Sequence, residues 1–190
     1  MMKIILPDNS SRELPEGSSG YDLAKDIGPG LAKSAVAITV DGVQKDLHDE
    51  INTDSSVSII TIDSDEGLEI MRHTLTAQVL ARAIKNLYPK SKLAIGPTIE
   101  DGFYYDVESE EVISSDDLNK IEEEMKKIIK SKSSITKKLV SRSQAIKVFK
   151  SNKEPYKEII INESDQDDNF QLYYQDDEKF VDLCRGPHLP

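Results

Sequence analysis

Apolar and polar positions alternate in short runs along the first third of the chain. The segments KIIL at 3–6, AVAITV at 35–40 and VSIITI at 57–62 are rich in β-branched residues, which is typical of strands. The pair Asp41-Gly42 directly follows the second segment and predicts a hairpin turn. This part of the chain is therefore expected to form a sheet.

One helix is predicted among these strands. Ser18 or Ser19 is a suitable N-cap for a helix from Tyr21 to about Ile27, which Gly28-Pro29-Gly30 would end. A helix set among several strands indicates a small β-grasp, ubiquitin-like sheet. We therefore predict a β-grasp domain over residues 1–62.

After the acidic segment DSDEGLE at 63–69, the pattern changes to that of amphipathic helices. A helix is predicted from about Gly67 to Leu87, because its apolar residues recur at three- and four-residue spacing. These apolar positions are Leu68, Met71, Leu75, Val79, Leu80, Ile84 and Leu87.

A second amphipathic helix and a hairpin are predicted further along. Ser114 and Asp117 form a capping-box variant, which marks a helix start. Its expected buried stripe consists of Leu118, Ile121, Met125, Ile128 and Ile129. FQLYYQ at 170–175 and KFVDLC at 179–184 are expected to pair. Residues 63–190 should thus form an α+β domain with helices packed on an antiparallel sheet.

Composition narrows the class of protein. No apolar run approaches the ~20 residues that a membrane span needs, and the start, MMKIILPDNS, is too quickly polar for a signal peptide. The only cysteine, Cys184, excludes an internal disulfide and suits a reducing compartment. A cytoplasmic protein without membrane contact is therefore expected.

The net charge of −11 argues against indiscriminate binding of nucleic acid, which depends on neutralising phosphates. The charge is unevenly spread, since residues 120–157 hold twelve of the 24 Lys and Arg residues and only four acids. This stretch is either a solvated helix face with a loop or a phosphate-contacting surface.

The segment CRGPHLP at 184–190 places Cys184 four residues before His188, one of only three histidines. A thiolate and an imidazole suit zinc, but a site needs one or two more ligands, and the other histidines are His48 and His73. Cys184 also fits a small buried residue at a strand end. No metal site is therefore predicted.

Acid–base groups lie in the same region. Asp182 would face the same side of a strand as Cys184, and His188 titrates near neutral pH. Tyr104 and Tyr105 would project to opposite faces, so that one could reach a pocket while the other covers the core.

Four segments resemble a known family, in order and over essentially the whole chain. LPDNSSRELPEGSSGYDLAKDIGPGLAKSAVAITVDG resembles the TGS domain at the start of bacterial threonyl-tRNA synthetases. MRHTLTAQVLARAIKNLYP, KLAIGPTIEDGFYYDVE and FVDLCRGPHLP resemble the editing domain that follows it. The chain thus resembles an N-terminal fragment of this family, with an editing domain of the second-additional type over residues 63–190 that is truncated at its end.

The resemblance implies a function. It indicates proofreading hydrolysis of serine mischarged on threonine tRNA, with the 3′ acceptor end as partner. The ligase active site, with its ATP and zinc, would lie in the absent aminoacylation domain, so no cofactor is expected here. The full-length protein would be a homodimer and the fragment a monomer. The alternatives are a tRNA-acceptor-binding module without hydrolysis and a free-standing editing protein.

The resemblance also implies site residues. Cys184 and His188 match the family's Cys-x3-His pair, and Asp182, Tyr105 and Lys157 match positions associated with the pocket. The resemblance therefore implies catalytic roles for His188, Cys184, Asp182 and Lys157, and a substrate-binding role for Tyr105.

The family's His-x3-His pair on the long helix does not match. Anchoring on Arg72-His73 places its positions at His73 and Ala77, whereas anchoring on VLARAI and AIGP places them at Thr74 and Gln78. We prefer the second register, whose downstream match is longer, although it implies one extra residue near the helix start. Thr74, Gln78 and His73 are accordingly expected to bind substrate.

Overall fold

The computed structural model describes all 190 residues, which divide into two compact units. The first unit comprises Met1–Met71 together with Gly186–Pro190, and the second comprises Arg72–Arg185. These compact units have other bounds than the predicted domains. The domain ranges 1–62 and 63–190 therefore stay predictions.

The first unit contains a five-stranded sheet with the order β2-β1-β7-β4-β5. β1 and β7 run parallel, whereas the other neighbours are antiparallel. Two helices and a short two-stranded ladder accompany this sheet, which has the β-grasp pattern predicted from the sequence. The elements are β1 (Met2–Ile5), β2 (Ser11–Leu14), β3 (Ser18–Ser19), α1 (Gly20–Ile27), α2 (Pro29–Ser34), β4 (Ala35–Val40), β5 (Val43–Asp46), β6 (Glu50–Ile51) and β7 (Ser55–Thr61).

The start of α1 lies directly against the sheet. A Cβ atom added to Gly20 would lie 2.3 Å from Cγ2 of Ile38, which is fully buried on β4. A residue without a side chain is therefore needed for this close approach. Leu23 of α1 joins Ile38 in the same core, so the helix covers the centre of the sheet.

The sequence made Ser18 and Ser19 candidate N-caps for α1, and in the structure Ser19 is the N-cap. Its hydroxyl accepts the backbone N–H of Asp22, and its own backbone N–H donates to the Asp22 carboxylate at 2.9 Å. Ser18 instead donates its hydroxyl to the carbonyl of Pro15. The hydrogen bonds from Ser19 lower the pKa of Asp22 below its ordinary value.

Helices and short strands alternate in the second unit. The long predicted helix consists of α3 (Asp65–Thr74), in which the boundary between the units falls, a π-helix (Leu75–Leu80) and α4 (Ala81–Leu87). The remaining elements are β8 (Lys92–Leu93), β9 (Thr98–Ile99), β10 (Gly102–Phe103), β11 (Val107–Glu108), a 3₁₀ turn (Ser115–Asp117), α5 (Leu118–Ser131), β12 (Thr136–Val140), α6 (Arg142–Ser151), α7 (Pro155–Glu163), β13 (Phe170–Gln175) and β14 (Phe180–Leu183).

An antiparallel sheet of order β12-β13-β14 forms the centre of the second unit. Alternate residues of β13, namely Phe170, Leu172 and Tyr174, pack with Phe149 of α6 and Ile161 of α7. The predicted hairpin of β13 and β14 and the α+β class are thus confirmed. None of the helices combines the length and the hydrophobicity required for a membrane span.

The predicted buried stripe of α5 is wrong at two positions. Leu118 is 61% exposed and Ile129 is 55% exposed, although Ile121 and Ile128 of the same helix are buried. Leu68 on α3 is also exposed. A period-based prediction marks a face of the helix, but the neighbouring elements decide how much of that face they cover. The capping box of Ser114 and Asp117 is present as predicted.

The π-helix changes the register along the long helix. The backbone N–H of Ala81 bonds to the carbonyl of Thr76, five residues earlier, whereas an α-helix spans four. This wider turn holds one additional residue.

We expect Ser19→Ala to lower the free energy of unfolding by about 1 kcal/mol near neutral pH, because the helix loses its N-cap. The folded-state pKa of Asp22 is depressed, so its contribution is present above the unfolded pKa and is lost as pH falls through the folded value. The difference between parent and variant should thus shrink below about pH 4.

Urea unfolding at neutral and acidic pH measures this difference. Ser18→Ala is the matched control and should change stability by less than about 0.5 kcal/mol. A larger loss for Ser18→Ala than for Ser19→Ala would contradict the assignment of the cap.

Candidate functional site

A cavity of about 290 Å³ lies within the second unit. Its walls come from the start of the long helix, the segment before β9, the α7 helix, the segment that leads into β13, and the end of β14. The lining residues are His73, Ala77, Ile95, Gly96, Pro97, Tyr105, Lys157, Ile160, Ser164, Gln166, Phe170, Gln171, Asp182, Leu183, Cys184 and Arg185. All of them belong to Arg72–Arg185.

Three polar side chains form a connected network in the cavity wall. The Lys157 ammonium lies 2.6 Å from Oδ1 of Asp182 and donates to the Tyr105 hydroxyl at 2.8 Å. The Tyr105 hydroxyl donates in turn to Oδ2 of Asp182 at 3.1 Å. Lys157 is 3% exposed and Asp182 is 1% exposed, so water does little to screen this ion pair.

Burial raises the pKa of Tyr105 far above its ordinary value, and the neighbouring Asp182 carboxylate raises it further. The phenol therefore stays protonated across the physiological range. It serves as a neutral bridge that accepts from Lys157 and donates to Asp182. The network as a whole carries no net charge, which reduces the cost of placing it in the wall.

Local features of the chain place Lys157 and Tyr105 in this network. α7 carries Lys157 and starts with Pro155, whose fixed φ suits the first helical turn. Tyr105 lies against Gly96, where an added Cβ would be 2.3 Å from Cδ2 of the ring. Tyr104 is 46% exposed and is not a lining residue, so of the two tyrosines Tyr105 is the one that reaches the cavity.

A thiol and an imidazole meet at another part of the wall. Sγ of Cys184 lies 3.0 Å from Nε2 of His73. The backbone N–H of Cys184 donates to the carbonyl of Gln171, which continues the pairing of β13 and β14 by one residue. Asp182 and Cys184 both line the cavity, as expected, but so does Leu183 between them, so the lining does not follow a strict alternation.

Of the two registers considered for the long helix, the first has its residues at the cavity. His73 and Ala77 line the cavity, whereas Thr74 and Gln78 do not, although both are buried. Oε1 of Gln78 accepts from Nε2 of Gln175 at 2.8 Å, and its backbone carbonyl accepts from the same nitrogen at 2.7 Å. Gln78 thus contacts β13 and lies outside the cavity lining, and its expected role in binding substrate stays a prediction.

His188 belongs to the first unit. Its backbone N–H donates to Oδ1 of Asp46 at 2.9 Å, and the neighbouring Leu189 packs with the cluster of Val36, Ala37, Ile60 and Ile70. The tail thus folds with the β-grasp sheet. The catalytic role expected for His188 stays a prediction.

Sequence reasoning missed the wall between α7 and β13. Ser164, Gln166, Phe170 and Gln171 line the cavity, yet no pattern pointed to them. Ser164 and Gln166 lie between the end of α7 and the start of β13, where neither helical nor strand periodicity applies. A polar run directly before a predicted strand was the only signal available.

Comparison with known proteins finds one matching domain and several similar proteins. Residues 2–61 match the TGS domain. Over 190 residues, the chain is 45% identical to a threonine–tRNA ligase of Hahella chejuensis and 46% identical to one of Saccharophagus degradans. Over 191 residues it is 47% identical to a threonine–tRNA ligase of Paramagnetospirillum magneticum.

These alignments cover the whole chain but only 29–30% of each relative's length. The chain matches an N-terminal region of threonine–tRNA ligases. Within this region the β-grasp unit corresponds to the TGS domain, and the cavity lies in the part that follows it.

We expect Asp182→Asn to lower the free energy of unfolding by about 3 kcal/mol, because the Lys157 ammonium would stay buried without its carboxylate. Denaturant unfolding measures this loss. Glu122→Gln removes one carboxylate from the exposed pair with Lys126 and should leave stability nearly unchanged, because solvent screens this pair. Equal effects of the two substitutions would show that the buried pair is not important for stability.

Proposed function

We propose that the second unit hydrolyses an aminoacyl ester at the 3′ end of a tRNA, and that its substrate is serine mischarged on threonine tRNA. The supporting observation is the pairing of His73 with Cys184 in a cavity whose wall also holds the Lys157–Asp182 ion pair. The match to threonine–tRNA ligases supports the choice of substrate.

The need for such a step follows from the chemistry of the amino acids. Serine is threonine without one methyl group, and a methyl contact provides only about 1–3 kcal/mol of discrimination. A synthetase therefore attaches serine at an appreciable rate. A second cavity that admits the seryl ester and excludes the threonyl ester removes these products.

The hydrolysis requires a water molecule to attack the ester carbonyl. The imidazole of His73 takes one proton from this water, and the Cys184 side chain orients the imidazole and the water. The attack forms a new C–O bond and a tetrahedral intermediate, and its collapse breaks the ester C–O bond as the imidazole passes its proton to the departing 3′ oxygen. Serine and the free terminal hydroxyl of the tRNA are the products.

The buried ion pair contributes electrostatics to the same step. The Lys157 ammonium provides a fixed positive charge for the oxygen that becomes negative during the attack. The Asp182 carboxylate holds this ammonium in place and offers an acceptor for the amino group of the serine. Tyr105 fixes both partners through its hydroxyl.

Exposed lysines on the second unit suit the phosphates of a tRNA. Lys126 and Lys127 are paired with glutamates of their own helix, so their charge is largely balanced. Lys147 and Lys150 on α6 and the nearby Lys153 are exposed and lie close together in sequence. We infer that this face contacts the acceptor stem.

A tRNA-binding module without hydrolysis is the second candidate. It is favoured by Ala77, which lines the cavity with a methyl group at one of the positions where the resemblance expects a histidine. With one helix imidazole in the wall, the activation of water depends on His73 alone.

A deacylation assay on seryl and threonyl esters of threonine tRNA separates the two candidates. We expect release of serine but not of threonine. Binding of seryl-tRNA without any release would contradict the hydrolytic function and support the binding module.

We expect Cys184→Ala and His73→Ala each to slow serine release by about 10²-fold, because the water loses its base or the group that orients it. His48→Ala changes an exposed histidine of the first unit and serves as the control, with an unchanged rate. Unchanged rates in both cavity variants would remove this pair from the mechanism.

A further inference from the structure

The segment between α7 and β13 forms one wall of the cavity and has no regular secondary structure to hold it in place. Between Glu163 and Phe170 the chain forms neither helix nor strand, and most of these side chains are exposed. Ser164 and Gln166 nevertheless line the cavity from this segment. Something must hold its backbone in place if the cavity is to keep a defined shape.

Part of the order is internal to the segment. Nε2 of Gln166 donates to the carbonyls of Asp168 and Asn169 at 2.7 and 2.8 Å. The backbone N–H of Gln166 donates to the hydroxyl of Ser164 at 3.1 Å. These bonds shape a turn, but they do not attach it to the rest of the unit.

Arg142 provides the attachment. It is the first residue of α6, directly after the N-cap Ser141, and its guanidinium reaches across to this segment. One terminal nitrogen donates to the carbonyls of Ile161 and Asn162, and the other donates to those of Ser164 and Gln166. The guanidinium also lies 5.4 Å from the centre of the Phe170 ring.

The chemistry of this contact is specific to arginine. Ile161 and Asn162 lie in the last turn of α7, where backbone carbonyls lack helical partners and carry partial negative charge. A planar guanidinium presents several donors in a rigid fork, so it can serve the helix end and the following segment together. A lysine ammonium has the same charge but cannot span four carbonyls in this geometry.

We propose that Arg142 is a positioning residue for the cavity. Its guanidinium holds residues 161–166 as a wall and thereby sets the affinity of the cavity for the aminoacyl end of its substrate. This inference rests on the proposed function for the identity of the ligand, whereas the role of Arg142 in holding the wall is independent of it.

The test compares the parent chain with Arg142→Lys. Amide hydrogen exchange of residues 164–171 reports the order of the wall without any ligand. The ligand probe is an adenosine that carries serine through a 3′ amide, which cannot be hydrolysed as the ester is. Thermal unfolding of each variant shows that the fold is retained.

We expect Arg142→Lys to raise the exchange rates of 164–171 about tenfold and to weaken binding of the seryl probe by a similar factor. Serine release at saturating seryl-tRNA should change less than about twofold, because the substitution leaves His73 and Cys184 untouched. A merely structural role would lower the unfolding temperature without this separation of affinity and turnover.

Arg82→Lys is the matched control. Arg82 is also buried and also bonds through its guanidinium, to Gln175 and Asp176, but it does not line the cavity. It should lower the unfolding temperature and leave both the exchange of 164–171 and the affinity for the probe at parental values. Gln166→Ala, which removes internal bonds of the same wall, should behave like Arg142→Lys.

Exchange and affinity at parental values in Arg142→Lys would overturn the proposal, as would faster exchange with unchanged affinity for the probe. A parent chain that does not bind the probe counts against the proposed function. In that case the exchange rates alone decide whether Arg142 holds the wall, so the two failures are distinguishable.

Discussion

The buried pair of Lys157 and Asp182 is the contact on which the arrangement of the cavity depends. A charge transferred into a protein interior costs several kcal/mol unless a partner compensates it. Lys157 comes from α7 and Asp182 from β14, so any arrangement that separates these elements leaves a charge buried alone. The same constraint aligns Tyr105, whose hydroxyl contacts both partners.

The cavity wall contains two groups of side chains with different chemistry. The ion pair is neutral overall and is held by its own hydrogen bonds, so it supplies a fixed electric field. His73 and Cys184 lie on different elements and meet in the same cavity, where they form the pair that can move a proton. We infer that the first group orients the substrate and the second acts on water.

The π-helix lies between two parts of the long helix that face different surroundings. In a continuous α-helix, one additional residue would rotate everything beyond it by about 100°. The wider turn keeps His73 at the cavity while Ala81 and Ile84 stay in the core with Ile121. Gln78 lies outside the cavity, and its contact with Gln175 stabilises the wider turn.

Local sequence patterns were sufficient to predict many of the elements of this fold. The capping box at Ser114, the β13–β14 hairpin and the β-grasp order of elements follow from the spacing of apolar residues and from turn chemistry. The family resemblance by itself indicated Asp182, Tyr105, Lys157 and Cys184 as candidate site residues. These residues could be found because each lies in a regular element or in a specific motif.

The remaining features depend on partners that are distant in sequence. Whether His73 and Ala77 or Thr74 and Gln78 face the cavity is set by the wider turn and by Gln175, which lies 97 residues from Gln78. Likewise, the irregular wall is held by Arg142, 24 residues before Gln166. The sequence by itself determined the elements and the chemical groups. Tertiary structure alone decided which groups meet, because the hydrogen bonds that orient them join segments with no shared local pattern.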